Sequence, residues 1–276
     1  LESVDVVVHL ARPSLLPAVL EASAHVGVDR IVVTSSTTVY GAWPDNPVPL
    51  TEESPLRPNP GFSFAAAQAE GERIAADWRD RRPDASVAVL RLAPMLLPGG
   101  ETWASARLAT PSLVRPADLL APVQVIHVDD AAAAIVHAAI ECLDGTYNVA
   151  APPTSGETAR ALSARGVPAP LPERAGRVAE ALAWKLRLGG APPSAVPYRE
   201  HPWVVAVDRI RATGWEPGFS TEEVLVAGRP GSWWRELSPK RRQELALSVA
   251  GGAIVAAAGA AGFALRAARL RTSRRG

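Results

Sequence analysis

Hydroxyl side chains cluster at the end of an apolar run in the stretch RIVVTSSTTVYG, residues 30–41. The β-branched residues of this run are typical of a strand that is covered on both faces. A serine at the end of such a strand can hydrogen-bond an oxygen atom of a bound molecule, or it can satisfy a backbone group of its own strand. Ser36 is therefore the first candidate for a functional side chain.

A second pair of residues lies in the helical stretch GFSFAAAQAEGERIAADW, residues 61–78. Phe64 and Gln68 are four residues apart, so on a helix they share one face. A phenyl ring cannot donate or accept a proton, and an amide carries no charge that would shift the pKa of a neighbouring group. The simplest interpretation of the pair is a packed aromatic ring and a polar side chain at the edge of a cleft.

Residue types that bind metals occur together in VIHVDD, where His127 is followed by Asp129 and Asp130. The motif links an apolar run to the helical pattern AAAAIVHAAIECL. A carboxylate at that point can accept hydrogen bonds from the first N–H groups of the helix. We therefore interpret the motif as a turn capped by Asp129 or Asp130, and we predict no metal site.

Apolar runs alternate with helical patterns along the first 150 residues. Strand, helix and strand in succession imply right-handed crossovers and a parallel sheet. We predict an α/β fold with a Rossmann-like doubly wound parallel sheet in residues 1–150, followed by a small lobe in residues 151–235. The predicted strands are residues 4–11, 30–36, 86–93, 122–128 and 145–150, with one of the helices at about residues 63–81.

The C-terminal part of the sequence differs from the rest, because residues 245–265 are 21 residues without a charge, long enough to span a bilayer. Only seven of these 21 residues are Leu, Ile, Val or Phe, so insertion is marginally favourable. We predict that residues 244–266 form a transmembrane or docked apolar helix, followed by a basic tail at 267–276. The first alternative would attach a cytoplasmic domain to the cell membrane.

Composition excludes several classes of protein. The formal net charge is +1, so no global positive field attracts nucleic acid. Cys142 is the sole cysteine, so no disulfide forms within the chain. The sequence opens at Leu1 almost directly on its first apolar run, and we expect it to lack the first βαβ units of its sheet.

These segments resemble, in the same order, those of the extended short-chain dehydrogenase/reductase family, the NAD-dependent epimerase/dehydratase group. VDVVVHLA and RIVVTSSTTVYG are similar to the family's fourth and fifth strands, the second with its Ser-Ser-x-x-Val-Tyr-Gly signature. PLTEESPLRPNPGFSFAAAQAEGE is similar to the active-site loop and helix, and VLRLAPMLLPGG to the strand and turn under the nicotinamide. VQVIHVDDAAAAIVHA, GTYNVA and ATGWEPGFSTEEVL resemble later elements, so the likeness covers about residues 1–230.

The resemblance implies roles for individual residues. In the family, a tyrosine transfers a proton while NAD or NADP carries the hydride, and a lysine one helical turn later lowers the tyrosine pKa and holds the nicotinamide ribose. Ser36 falls at the family's catalytic Ser/Thr position, Phe64 at the tyrosine position and Gln68 at the lysine position. The cofactor-binding positions implied by the family are Leu10, Ala11, Arg12, Thr34, Ser35, Gln68, Leu92, Ala93 and Pro94.

The family's Gly-x-x-Gly-x-x-Gly turn, which binds the pyrophosphate, does not occur in this sequence. Three hypotheses remain open. The first is an NAD(P)-dependent, oxidoreductase-related protein that acts on or binds a small metabolite or nucleotide-sugar-like substrate with impaired acid–base chemistry. The others are a non-catalytic nucleotide- or metabolite-binding module anchored to the membrane, and an enzyme whose reaction needs no tyrosine. A homodimer is also compatible with the resemblance.

Overall fold

The computed structural model describes residues 4–96, 121–163 and 192–227, together with residues 178, 182 and 185. Contacts divide the chain into two compact units, Leu1–Arg229 and Pro230–Gly276, and the described residues belong to the first. The predicted apolar helix at 244–266 and the basic tail lie outside the described residues. Within the described ranges, no helix has the length and apolar character needed to cross a membrane.

A four-stranded parallel sheet forms the centre of the described part of the chain, as the alternation of strands and helices predicts. The register pairs Val33 with His9 on one side and with Val89 on the other. Every pairing is parallel, so the carboxyl ends of the strands meet at one edge of the sheet. In spatial order the strands are β1 (Val7–His9), β2 (Arg30–Ser36), β3 (Ser86–Leu92) and β4 (Gly145–Val149).

The strand predicted at residues 122–128 is wrong. The segment forms two isolated bridges of opposite sense, one antiparallel to Thr154 and one parallel to Met95. Between them, the Gln124 side chain donates to the carbonyl oxygen of Val205 at 3.2 Å and accepts from its N–H at 2.9 Å. Because successive residues bond to different parts of the chain, the apolar run forms no continuous ladder.

Helices connect the strands and flank the sheet. The described α-helices are α1 (Leu16–Val26), α2 (Ser63–Asp80), α3 (Val128–Ile140), α4 (Gly156–Ser163), α5 (Pro197–Glu200), α6 (Asp208–Arg211) and α7 (Thr221–Ala227). Short 3₁₀ turns lie at Pro13–Leu15, Thr37–Tyr40 and Pro193–Ala195.

The sheet has a hydrophobic core on each face. On one face, α1 and α2 contribute Leu16, Leu20, Ala75 and Trp78 to a core with Ile31, Val33, Val87 and Val89. On the other, the small side chains of α3 allow close packing of that helix against the sheet. That core includes Ala131, Ala134, Ala138, Val32, Ala88, Leu90, Tyr147 and Val149. The described part of the chain is therefore a three-layer α/β/α arrangement, whose carboxyl edge is left for a site.

Local sequence signals account for several features of these helices. The active-site-like helix α2 spans Ser63–Asp80, close to the predicted range. Pro17 lies in the first turn of α1, where its missing N–H costs nothing. Ser220 and Glu223 form a capping box: the Ser220 N–H donates to Glu223 Oε2 at 2.8 Å, and the Glu223 N–H donates to Ser220 Oγ at 3.2 Å.

The predicted cap of α3 is wrong. His127 is the N-cap residue, and its Nδ1 accepts the N–H of Asp129 at 3.2 Å. Asp130 is buried, and its carboxylate oxygens accept the N–H groups of Gly218 at 2.9 Å and Phe219 at 3.1 Å. The carboxylate has a tertiary partner that the local pattern does not reveal, and it fastens the segment before α7 to the start of α3.

We expect Asp130→Ala to lower the free energy of unfolding by about 2–3 kcal/mol, because two backbone N–H groups lose a buried, charged acceptor. Urea denaturation monitored by circular dichroism measures this. Asp129→Ala is the matched control, since the Asp129 side chain is 76% exposed in the same turn and should change stability by less than about 1 kcal/mol. Equal effects of the two substitutions would contradict the assigned role of Asp130.

Candidate functional site

Ser36 lies where β2 ends, at the carboxyl edge of the sheet. It is the N-cap of the 3₁₀ turn Thr37–Tyr40, and its Oγ accepts the N–H of Thr38 at 3.3 Å. The side chain thus satisfies a backbone group, the alternative role that the sequence left open. Only 7% of Ser36 is exposed, so its hydroxyl is held in one place next to the strand end.

Helix α2 packs on β2 and β3 and carries the second pair of residues. Phe64 is 40% exposed, high for a phenylalanine, and Gln68 is half-buried. The Phe64 ring lies 5.9 Å from the ring of Phe62, which is buried. The face of α2 that carries Phe64 and Gln68 therefore offers an aromatic surface and an amide, with no ionisable group at either position.

Three of the predicted cofactor-binding residues follow β1. Leu10 is 64% exposed, and Ala11 and Arg12 are also exposed. The hydroxyl of Thr34, on the neighbouring strand β2, donates to the carbonyl oxygen of His9 at 3.1 Å. The ends of β1 and β2 are thereby tied together, and an exposed apolar side chain lies at their edge.

The predicted residues at the end of β3 are less accessible. Leu92 and Ala93 are buried, and Pro94 is half-buried. The Ala93 N–H donates to the carbonyl oxygen of Val149 at 2.9 Å, and the Pro94 carbonyl oxygen accepts the N–H of Ile126 at 3.1 Å. This segment lies at the carboxyl edge of the sheet, next to strand β2, which carries Thr34 and Ser36.

Ser35, the remaining predicted cofactor contact, is directed into the protein. Its hydroxyl donates to Glu72 Oε1 at 2.5 Å. Glu72 lies on α2, two turns after Phe64, and its carboxylate also accepts from Arg91 Nη2 on β3 at 2.7 Å. Glu72 and Arg91 are 7% and 6% exposed. A buried ion pair therefore joins α2 to the sheet beneath the candidate site, and no sequence motif predicted it.

The buried pair continues into a network of polar groups. Arg91 Nη1 donates to the Tyr40 hydroxyl at 2.6 Å, which in turn donates to Asn148 Oδ1 on β4 at 2.8 Å. Burial disfavours the charged guanidinium, but the hydrogen bond and charge of Glu72 outweigh it, so the pKa of Arg91 is raised. Burial also raises the pKa of Tyr40. Tyr40 is fully buried, so its phenol is a structural group of this network.

Tyr198, on α5, is another residue that no sequence motif predicted. Its hydroxyl donates to the carbonyl oxygen of Thr38 at 2.7 Å, and its ring packs 5.2 Å from that of Phe62. Burial raises the pKa of the Tyr198 phenol well above its ordinary value. A phenol that transfers protons at neutral pH needs a lowered pKa, whereas the Tyr198 hydroxyl is buried and donates to the backbone of the turn. Tyr198 therefore does not replace the tyrosine missing at position 64.

The loop between the turn and α2 is fastened to a distant segment. The Leu50 N–H donates to the carbonyl oxygen of Val204 at 2.8 Å, and the Leu50 carbonyl oxygen accepts the N–H of Ala206 at 2.8 Å. The Asn46 side chain donates to the carbonyl oxygen of Pro202 at 2.8 Å. Residues 202–206 thus hold the loop against the carboxyl edge of the sheet.

Gly41, which ends the Ser36 turn, allows a close backbone approach. Its φ is 68° and its ψ is 161°, a combination open only to glycine. A Cβ atom there would lie 2.1 Å from the Arg57 carbonyl oxygen and 2.5 Å from Trp43 Nε1. These two groups are hydrogen-bonded to each other at 2.7 Å, so any side chain at position 41 would displace them.

We expect Gly41→Ala to lower the free energy of unfolding by more than about 3 kcal/mol, because steric overlap adds to backbone strain. Thermal unfolding by calorimetry measures the loss. Gly27→Ala is the matched control, since its φ is 77° but nothing lies within 4 Å of the added Cβ. That variant should lose only about 1–2 kcal/mol. Similar losses at the two positions would show that the close approach at Gly41 is unimportant.

Two histidines, His9 at the end of β1 and His127 before α3, have defined surroundings. His9 is buried, and its Nε2 has no hydrogen-bond partner among the described residues. The described ranges contain no group of three or more His, Cys, Asp or Glu side chains arranged to hold a metal ion. His127, the central residue of VIHVDD, instead stacks on Phe219 at 4.1 Å between ring centroids.

The parallel sheet, the helices on its two faces and the polar strand ends define a Rossmann-like protein, a class in which ligands bind at the carboxyl edge of the sheet. Residues 14–150 of the chain match the model of the NAD dependent epimerase/dehydratase family. The resemblance seen in the sequence motifs is thereby confirmed.

An uncharacterized protein of Mycobacterium tuberculosis is 36% identical over 124 residues, which are 45% of this chain and 33% of that protein. The match thus spans about a third of the length of this relative. Among solved structures, MoeE5 in complex with UDP-glucuronic acid and NAD has a TM-score of 0.58 at 19% identity, covering 84% of this chain and 80% of that one. RMD from Pseudomonas aeruginosa complexed with NADPH has a TM-score of 0.55 at 19% identity, covering 82% and 81%. Both structures share the fold.

Proposed function

We propose that the protein is an NAD(P)-binding member of the epimerase/dehydratase family that acts on or binds a nucleotide-sugar-like small molecule, with impaired acid–base chemistry. The observation that carries this proposal is the position of Ser36. Its hydroxyl is held at the carboxyl edge of the sheet, beside the helix that carries Phe64 and Gln68. In a Rossmann-like fold this edge is where ligands bind.

The residues around Ser36 suit the nicotinamide side of a dinucleotide. Leu10 offers an exposed apolar surface after β1, and the Gln68 amide can hydrogen-bond a ribose hydroxyl. The Gly-rich turn that binds the pyrophosphate is not in this sequence. The residues around Ser36 therefore account only for contacts with the nicotinamide half of the dinucleotide. A bound nicotinamide would supply hydride transfer. The chain's own residues would orient the ligand.

The proposal of impaired chemistry rests on two side chains. Proton transfer by a positioned residue requires an ionisable group within hydrogen-bond reach of the reacting atom. Phe64 and Gln68 provide none, and the Tyr198 hydroxyl already donates to the Thr38 carbonyl oxygen. The same observation favours a second candidate function, a non-catalytic module that binds a nucleotide or metabolite. An enzyme whose reaction needs no tyrosine is the third.

The test is binding by the protein expressed from its complete reading frame. NADH and NADPH fluorescence is recorded on titration with protein, and UDP-glucose binding is measured by calorimetry in the presence of NAD. We expect enhanced cofactor fluorescence and slow or absent conversion of UDP-glucose. If neither cofactor changes its fluorescence, both cofactor-based proposals fail. Fast turnover by the unmodified protein would exclude the binding module and the impaired site together.

A further inference from the structure

The Ser36 hydroxyl makes two hydrogen bonds within its turn. Its Oγ accepts the backbone N–H of Thr38 at 3.3 Å, and it lies 3.1 Å from the Thr38 hydroxyl. Both bonds come from one residue, two positions further along the chain. Thr38 is fully buried, whereas Ser36 retains 7% exposure at the strand end.

The direction of the second bond follows from burial. Thr38 Oγ1 has no hydrogen-bond partner other than Ser36 Oγ among the described residues. If Ser36 donated to Thr38, the proton of the Thr38 hydroxyl would be buried without an acceptor, at a substantial cost. The Thr38 hydroxyl therefore donates, and Ser36 Oγ accepts two hydrogen bonds.

A serine oxygen has two lone pairs and one proton. With both lone pairs of Ser36 engaged by Thr38, the hydroxyl can only donate. We propose that Thr38 is a positioning residue: because it occupies both lone pairs of Ser36 Oγ, the Ser36 hydroxyl can only donate its proton to a ligand. The site therefore recognises an acceptor oxygen of its ligand, such as a carbonyl or hydroxyl oxygen. An amine or ammonium group would find no acceptor there. This inference rests on the proposed function, because it concerns the same site.

Tyr198 holds the Thr38 backbone from the other side. The Thr38 carbonyl oxygen accepts the Tyr198 hydroxyl at 2.7 Å and the Gly41 N–H at 3.0 Å. All the polar groups of Thr38 are thus engaged, its N–H and hydroxyl by Ser36 and its carbonyl oxygen by Tyr198 and Gly41. Thr38 is therefore hydrogen-bonded both to Tyr198, in the C-terminal part of the described chain, and to Ser36.

The first experiment needs no ligand. Amide hydrogen exchange is followed for Thr38 in the unliganded protein and in Tyr198→Phe. Because Tyr198→Phe removes a tether of the turn, we expect exchange of the Thr38 amide to accelerate at least threefold. Tyr147→Phe is the matched control, since the Tyr147 hydroxyl also donates to a backbone carbonyl, that of Asp144 at 3.0 Å, away from the turn. Equal exchange in all three proteins would overturn the role of Tyr198.

The second experiment separates positioning from mere structural support. UDP-glucose affinity in the presence of NAD is measured for Ser36→Ala, Thr38→Val and the double variant. We expect each single change to weaken binding about threefold to tenfold, the size of one neutral hydrogen bond. If Thr38 acts through Ser36, the double variant binds no more weakly than Ser36→Ala alone. Losses that multiply, or a Thr38→Val variant that binds like the parent, would overturn the proposal.

The two experiments also separate this proposal from the proposed function. A parent protein that does not bind UDP-glucose would refute the proposed ligand class. In that case the hydrogen-exchange experiment is repeated with Thr38→Val. Loss of the Thr38 hydroxyl should weaken the hydrogen bond from the Thr38 N–H to Ser36 Oγ and so accelerate exchange of that amide. Unchanged exchange in Thr38→Val would overturn the positioning role without reference to any ligand.

Discussion

The double variant Phe64→Tyr with Gln68→Lys is expected to convert a nucleotide-sugar substrate roughly 10²–10⁴ times faster than the parent, the range that general acid–base catalysis supplies. The two positions lie one turn apart on α2 and share a face. A lysine ammonium beside a tyrosine phenol lowers the phenol pKa toward neutrality. Because Phe64 is already 40% exposed, the added hydroxyl needs no repacking of the core. Conversion of UDP-glucose is followed by NMR and by NADH absorbance.

Two controls isolate the chemistry of the pair. Gln68→Lys alone places the cation without a phenol, and it should leave turnover at the level of the parent. Phe219→Tyr adds a phenol at a ring of nearly equal exposure, 38%, outside the candidate site. A gain in that variant as large as in the double variant would contradict the assignment of positions 64 and 68. So would a double variant that binds NADH and UDP-glucose but converts nothing.

Arg91→Met is expected to lower the free energy of unfolding by about 3–5 kcal/mol, because it leaves the Glu72 carboxylate buried without its cation. The loss should be visible as a lower urea midpoint at unchanged m-value. Glu72→Met should cost a similar amount, since it removes the acceptor of both Arg91 and Ser35. Of the described ion pairs, this one is buried on both sides, at 7% exposure of each side chain.

The double variant Glu72→Met with Arg91→Met tests whether the charge or the shape of the pair matters. Replacing both partners by apolar groups of similar volume is often close to neutral, so we expect a loss well below the sum of the single changes. Arg73→Met is the matched control on the same helix, because its bonds to Glu70 and Asp77 are exposed and worth less than about 1 kcal/mol. If Arg91→Met costs no more than Arg73→Met, the buried network does not stabilise the fold.

The elements whose patterns are local were predictable from the sequence. Helix α2 begins after a Pro-rich loop, and the capping box at Ser220 and Glu223 needs only residues three apart. The prediction of a strand at residues 122–128 was wrong because an apolar run does not specify its hydrogen-bond partners. Its partners are scattered in the chain, and only the folded protein brings them together. For the same reason, the carboxylate of Asp130 could not be distinguished from a local helix cap.

Residues of the candidate site were predictable only where they belong to a recognisable sequence motif. Ser36, Phe64 and Gln68 were found because their spacing matches a family pattern. Arg91 carried a signal that was overlooked: a guanidinium in the middle of an apolar strand requires a buried partner. Tyr198 carried no such signal. Its contact with Thr38 joins residues 160 positions apart, and no sequence periodicity reports a contact of that kind.

The loop at Leu50 is hydrogen-bonded to residues 202–206, far along the chain, and this affects the order in which the protein can fold. Strands β2 and β3 and helix α2 are close in sequence, so they can associate early, whereas pairings over long separations form slowly. The Asn46 side chain bonds to Pro202, 156 residues later in the chain. During synthesis the N-terminal part emerges first. A nascent chain that has already formed these strands and α2 therefore has no completed site until the segment at 202–206 docks.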